Sequence, residues 1–276
     1  MAKEVAVKAK QEVAMTAEEA EMFGSLDYST TETKDLLIPK VLLMQGSSNF
    51  IKEGADCKVG DLVKSTTGEI YGSVREKDYK PLKFIPIYMF KTWVKQEKIP
   101  APNGSDKLQW VETTPVTPEN SNQQWNQEEM IDGQLRRFKL TKNINFYALL
   151  EKDFTNPIAV PHVITFRGTS ARGGAVLEDW FAQCRAAQVA KIAKDKDGNL
   201  IVPFAKVFEL GGKMEKNADD QSWFVLNTKE NSPTPANLIP VAFNWYKTVS
   251  KSKHTDVDNS DDKAAGATAH AEEVPF

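Results

Sequence analysis

Polar and apolar positions alternate through the central part of the chain, the period expected of strands half-buried on a sheet. Leu82–Lys95 (LKFIPIYMFKTWVK) is rich in β-branched and aromatic residues and too interrupted by proline for a helix. Its alternation predicts one face with Phe84, Tyr88, Phe90 and Val94, and a second with Ile85, Ile87, Lys91, Trp93 and Lys95. Leu135–Leu150 repeats the pattern: Phe138, Leu140, Ile144, Phe146 and Ala148 face one way, Arg137, Lys139, Thr141, Asn145 and Tyr147 the other. Further strands are predicted at Leu62–Ser65, Ile70–Val74, Ile158–Phe166, Leu200–Leu210 and Ser222–Thr228. Turn chemistry at Thr67-Gly68, Asp197-Gly198-Asn199 and Gly211-Gly212 separates them.

One stretch switches to helical spacing. From Ala175 to about Lys194, Leu177, Trp180, Phe181, Cys184 and Ile192 fall on one side, after Gly173-Gly174, and Lys191 and Lys194 suit the C-terminal end. Several strands around one middle helix predict a mainly β (α+β) protein. The architecture expected is an OB-fold-like β-barrel with elaborations, flanked by disordered termini, although other strand-rich folds fit the same pattern.

The pattern lapses in three places. Residues 1–34 are acidic, with room for a short helix near Gln11–Phe23. Residues 99–133 hold four prolines and many Asn and Gln, and are expected to form a long loop carrying Trp110 and Trp125. Residues 254–276 are poor in large apolar side chains and cannot offset the entropy of ordering, which predicts a disordered acidic tail. The ordered domain is therefore expected at 35–253. No internal repeat is evident.

Composition narrows the class. With 41% hydrophobic and 26% charged residues, the 276-residue chain has the balance of a soluble globular protein. No stretch approaches the roughly 18 apolar residues of a membrane span, and the N-terminus lacks the apolar run of a secretory signal. Cys57 and Cys184 are too few and too far apart for a zinc site or disulfide framework, which suits a reducing cytoplasm. Neither a metal nor a cofactor is expected. The net charge of −3 speaks at first against nucleic acid, but it is unevenly spread. Residues 254–276 carry −5 and residues 1–34 carry −3, leaving +5 on 35–253. A basic body lies between acidic ends.

The chain ends in Glu272-Glu273-Val274-Pro275-Phe276, a hydrophobic tip on a polar tail. A partner with an apolar pocket beside Arg or Lys could hold the ring and the terminal carboxylate of Phe276 together. This ending resembles the C-terminal tail of bacterial and phage single-stranded-DNA-binding proteins, although the acidic residues are split, Asp256–Asp262 standing apart from Glu272-Glu273. The segment Leu37–Gly46 (LIPKVLLMQG) followed by Val59-Gly60-Asp61 is similar to an opening found in larger phage members. The resemblance implies a protein that coats single-stranded DNA in replication, recombination or repair, working in the host cytoplasm. It implies recruitment of replication and recombination proteins through residues 272–276, and a tail that competes with DNA for the basic surface. A homo-oligomer is compatible with it.

Binding single strands without sequence preference takes cations along the phosphates and flat rings for the bases. Strand faces that mix the two are the candidates: Lys91, Trp93 and Lys95; Arg137, Lys139 and Tyr147; Trp223 and Lys229. Arg167 and Arg172 flank a small-residue loop that could admit a phosphate. The chain shows no Walker loop, His-Glu-x-x-His or Gly-x-Ser-x-Gly, and no enzyme is expected. His162 reads as structural, and Asp195–Asn199 lacks the Gly and Glu of a calcium loop. The alternatives are a metal-dependent nuclease built on Asp61, Asp78 and Lys80, a strand-annealing recombination protein, and an adaptor for an acidic partner.

Overall fold

Two long strands organise the molecule: β4 (Leu82–Pro100) and β7 (Gln134–Leu150) pair antiparallel from Phe84 opposite Leu150 to Glu97 opposite Phe138. The computed structural model describes residues 38–45, 48, 51, 56–76, 78–100, 106–156, 160–216, 222–251 and 269–270. The other described strands are β1 (Lys40–Leu43), β2 (Asp61–Lys64), β3 (Ile70–Ser73), β5 (Asp106–Pro115), β6 (Asn126–Ile131), β8 (His162–Arg167), β9 (Lys206–Lys216), β10 (Ser222–Pro233) and a two-residue β11 (Ala269–His270). Helix α1 spans Ala175–Val189 and α2 spans Ile239–Val249. The sheet runs β10-β9-β4-β7-β8-β1-β2-β3; β5 adds to the far part of β4 and β6 to that of β7. β1 and β8 are parallel and the remaining pairs antiparallel. The protein is thus a β-dominated α+β fold on an open mixed sheet.

The near parts of β4 and β7 form the body. Val41, Leu62, Phe84, Phe146, Ile164, Phe208 and Leu226, from seven different strands, meet in one core, and Leu177, Trp180, Phe181 and Cys184 of α1 close it. The sheet curls around this core without pairing its end strands. Side chains bridge the gap: Gln45 donates to the Phe224 carbonyl at 2.7 Å and accepts from the Phe224 N–H at 3.3 Å, and the Tyr79 hydroxyl donates to the Leu210 carbonyl at 2.9 Å. On the outer face Ile85, Ile87, Phe90, Tyr147, Leu149 and Val207 pack beneath Leu238, Ala242 and Val249. Helix α2 covers that face.

Several local expectations are corrected. The β4 alternation breaks at a bulge, because pairing steps from Pro86–Ala148 to Tyr88–Tyr147 and leaves Ile87 without an opposite residue. Ile85 and Ile87 therefore share the outer face with Tyr88 and Phe90, while Phe84 points into the other core. The β7 alternation, which has no bulge, holds throughout. Helix α1 stops at Val189 rather than near Lys194. Lys191 takes φ of 56°, its N–H bonds to the Gln188 carbonyl and that of Ile192 to the Ala187 carbonyl, a Schellman end that leaves Ile192 exposed. Gly211-Gly212 is no turn but mid-strand in β9, where a Cβ on Gly212 would come within 2.8 Å of Val74. The expected long loop at 99–133 contains β5 and β6. Helix α2 was not expected, yet Pro240 in its first turn and apolar Leu238, Ala242, Tyr246 and Val249 at helical spacing account for it.

Candidate nucleic-acid interface

Beyond residue 91 the two long strands leave the body, and with β5 and β6 they form a four-stranded arm in the order β5-β4-β7-β6. Its two faces differ. On the inner face Trp93, Phe138 and Leu140 form a small core with Val116 and Ile131, and the β5–β6 connection folds over it: the Trp93 indole donates to the Asn120 carbonyl at 2.9 Å. Three cations of this face are matched by carboxylates, while Lys142 lies 5.4 Å from the centre of the Trp93 ring. Lys95 pairs with Glu129 at 2.7 Å, Arg136 with Glu97 at 3.6 Å, and Lys91 at the arm's root with Glu178 of α1 at 2.5 Å.

Among the described residues, none folds over the outer face in this way. Cross-strand pairing sets Trp110, Gln96, Lys139 and Asn126 in one row across all four strands. Lys98, opposite Leu108, and Arg137, opposite Glu128, follow on the same face toward the tip. The Trp110 indole is fixed by donating to Thr113 Oγ1 at 3.1 Å. Arg137 stays half exposed while lying 3.6 Å from Asp106, so the face holds three cations against the carboxylates of Asp106 and Glu128. At the tip, Asp132-Gly133 turn with positive φ at both residues, the hairpin geometry that matches strand twist. Met130 and Leu135, paired just before it, are 67% and 61% exposed on this face.

The residues singled out from sequence do not all meet. Arg137 and Lys139 lie on the open face, and Arg167, opposite Asn143, is exposed on the same side of the sheet where arm and body join. Trp93 and Tyr147 are corrected: they are 4% and 1% exposed, Trp93 in the inner core and Tyr147 stacked on Phe90, so neither ring faces solvent. Lys91 and Lys95 sit on the inner face in ion pairs. Trp223 and Lys229 are on the outermost body strand β10, and Arg172 is exposed in the 3₁₀ turn Gly168–Gly174. Trp110, Lys98 and Gln96 were missed. The polar composition around Trp110 predicts a loop there, and the signal that points instead to a strand is the alternation of Leu108, Trp110 and Thr113 with exposed Gln109, Val111 and Glu112.

The nuclease residues are also separated by role. Asp61 is buried, accepting from the Lys58 N–H at 2.7 Å and from Arg75 at 3.1 Å, whereas Asp78 and Lys80 are exposed. Among the described residues no three His, Cys, Asp or Glu side chains are grouped to hold a metal ion. His162 is buried with Nε2 2.8 Å from the Tyr71 hydroxyl; burial, with the charges of Lys152 and Lys64, lowers its pKa to about 4. Residues 272–276 lie outside the described residues. No described helix is long and apolar enough to cross a membrane.

Comparison with known proteins places the chain among phage proteins. A family model described as Pam3 phage gp34-like protein matches residues 8–255, and the chain belongs to that family. No curated protein and no solved structure matches it.

Proposed function

We propose that this phage protein binds and coats single-stranded DNA in the host cytoplasm, without catalysing a reaction, during replication, recombination or repair. The observation that carries the reading is the open face of the arm, where Trp110 is flanked by Gln96, Lys98, Lys139 and Arg137 on a rigid four-stranded platform. A ring for stacking and cations for phosphate are what sequence-tolerant binding of single strands uses. The positive charge of residues 35–253 supports it. An OB-fold-like origin for the body belongs to the same proposal, supported by the curl of seven strands around one core with a helix across it.

The tail has a place in this reading. Residues 272–276 recruit partner proteins, and the acidic segment competes with DNA. Support for the competition comes from β11, which pairs with Leu108 and Lys107 on the edge of β5, next to Trp110. Fluorescence titration with oligo-dT at several salt concentrations tests the binding itself. Affinity should fall as salt rises through counterion release, and duplex should bind far less well. Absence of single-strand binding at low salt would falsify the proposal. Deleting residues 254–276 should preserve or strengthen DNA binding; a weaker deletion protein would remove the competition mechanism.

A further inference from the structure

The odd-numbered side of β7 runs without a break from the arm into the body. Lys139 and Arg137 lie on it at the arm, and Tyr147 and Leu149 lie on it beneath α2. Helix α2 therefore sits on the same side of the sheet as the open face of the arm. Its inner stripe is spent on the core, through Leu238 just before it, Ala242 and Val249, with Tyr246 against Tyr88. The outer stripe is Phe243, Asn244, Lys247, Thr248 and, one turn further, Lys251, all within helical reach of one another.

This stripe has the chemistry of a second contact. Phe243 is 46% exposed, and the Lys247 ammonium sits 5.0 Å from its ring centre. Asn244, Lys247, Thr248 and Lys251 line one open groove. Residues 236–251 contain no Asp or Glu, so no carboxylate of the helix opposes an incoming phosphate. We propose that the outer stripe of α2 is a second single-strand contact, continuing the path that starts on the arm: Phe243 stacks a base, and Lys247 and Lys251 hold phosphates. The proposal rests on the reading of the arm above. Tyr147 and Lys139 are eight residues apart on β7, roughly 26 Å at strand rise, so a short oligonucleotide reaches one contact and a long one both.

The full chain and the variants Lys247→Glu/Lys251→Glu, Phe243→Ala and Lys247→Arg/Lys251→Arg would be titrated with dT oligomers of about 6 and about 30 nucleotides, lengths chosen around known site sizes. On the long oligomer the charge reversal should lower affinity at least tenfold, and the slope of log affinity against log salt should shrink by about two, one per lost phosphate contact. Phe243→Ala should cost about tenfold there. The arginine pair should bind as the unaltered chain does, and the 6-mer should respond to no variant by more than about twofold if it occupies the arm alone. Equal weakening on both lengths, or no change on the long oligomer, overturns the second contact while leaving the arm in place. An unchanged titration with lost binding to vesicles of anionic lipid would assign the stripe to a membrane surface and overturn it too. If the unaltered chain binds neither oligomer at low salt, the reading of the arm fails first.

Discussion

One pair of strands passes through two different environments. Where Phe84 faces Leu150, β4 and β7 are buried on both sides, by α1 and the curled sheet within and by α2 without. Where Gln96 faces Lys139, the same ladder is covered on one side by a short connection and, among the described residues, open on the other. Backbone pairing is continuous across the boundary, so what changes is only what the side chains meet. The body derives its stability from apolar burial. The arm relies on hydrogen-bonded pairing, a three-residue core and ion pairs worth little individually. A platform that exposes polar side chains on a rigid backbone results, and its exposed face can vary with little loss of stability.

The sharpest way to break the contrast is to truncate the body core. Phe146→Ala, at a fully buried ring packed against Phe166 and Phe181, should cost about 3–5 kcal/mol in denaturant unfolding. A loss below about 1 kcal/mol would mean the body is not held as described. Acid comes next. His162 is buried neutral with a pKa near 4 against an ordinary 6.5, so it favours the fold fully above pH 6.5, and that contribution is lost as pH falls toward 4. The fall in stability across this window should flatten in His162→Gln; an unchanged pH profile would exclude His162 as its source.

On the arm, Trp110→Ala should leave the unfolding midpoint nearly unchanged but cost roughly 1–3 kcal/mol in oligo-dT binding, the worth of one base–aromatic stack. A matching loss of stability would show that the ring serves the fold instead. The smallest effect belongs to Lys139→Gln, which should reduce the salt slope by about one with little change in duplex discrimination. Binding unaffected at all salt concentrations would take Lys139 off the path.

The body was legible in the sequence because its side chains see the same environment at every second position. The β7 alternation from Phe138 to Ala148 needs no tertiary information, and it holds. The β4 alternation failed at Ile87, since a bulge is set by how two strands twist together and leaves no local mark in a run of large apolar residues. The arm was nearly invisible for the opposite reason. β5 and β6 are solvated on one face and paired on both edges or one, so residues 99–133 are mostly polar, with scattered apolar positions, and suggest a loop. Trp93 and Trp110 make the point together. Both are strand tryptophans near lysines, and only the fold over Asn120 decides that Trp93 is core while Trp110 faces outward.

The bond pair between Gln45 and Phe224 has a consequence for crowding. An exposed strand edge is a template for another molecule's strand and so for aggregation. In the body, the side-chain amide of Gln45 occupies both backbone groups of Phe224 on β10, and the 3₁₀ turn before α1 lies against the middle of that strand, where Thr228 donates to the Gly173 carbonyl at 2.7 Å. The opposite edge, β3, is four residues long. Among the described residues the body therefore leaves only short stretches of edge for another chain's strand, which works against fusion of sheets when the protein is concentrated.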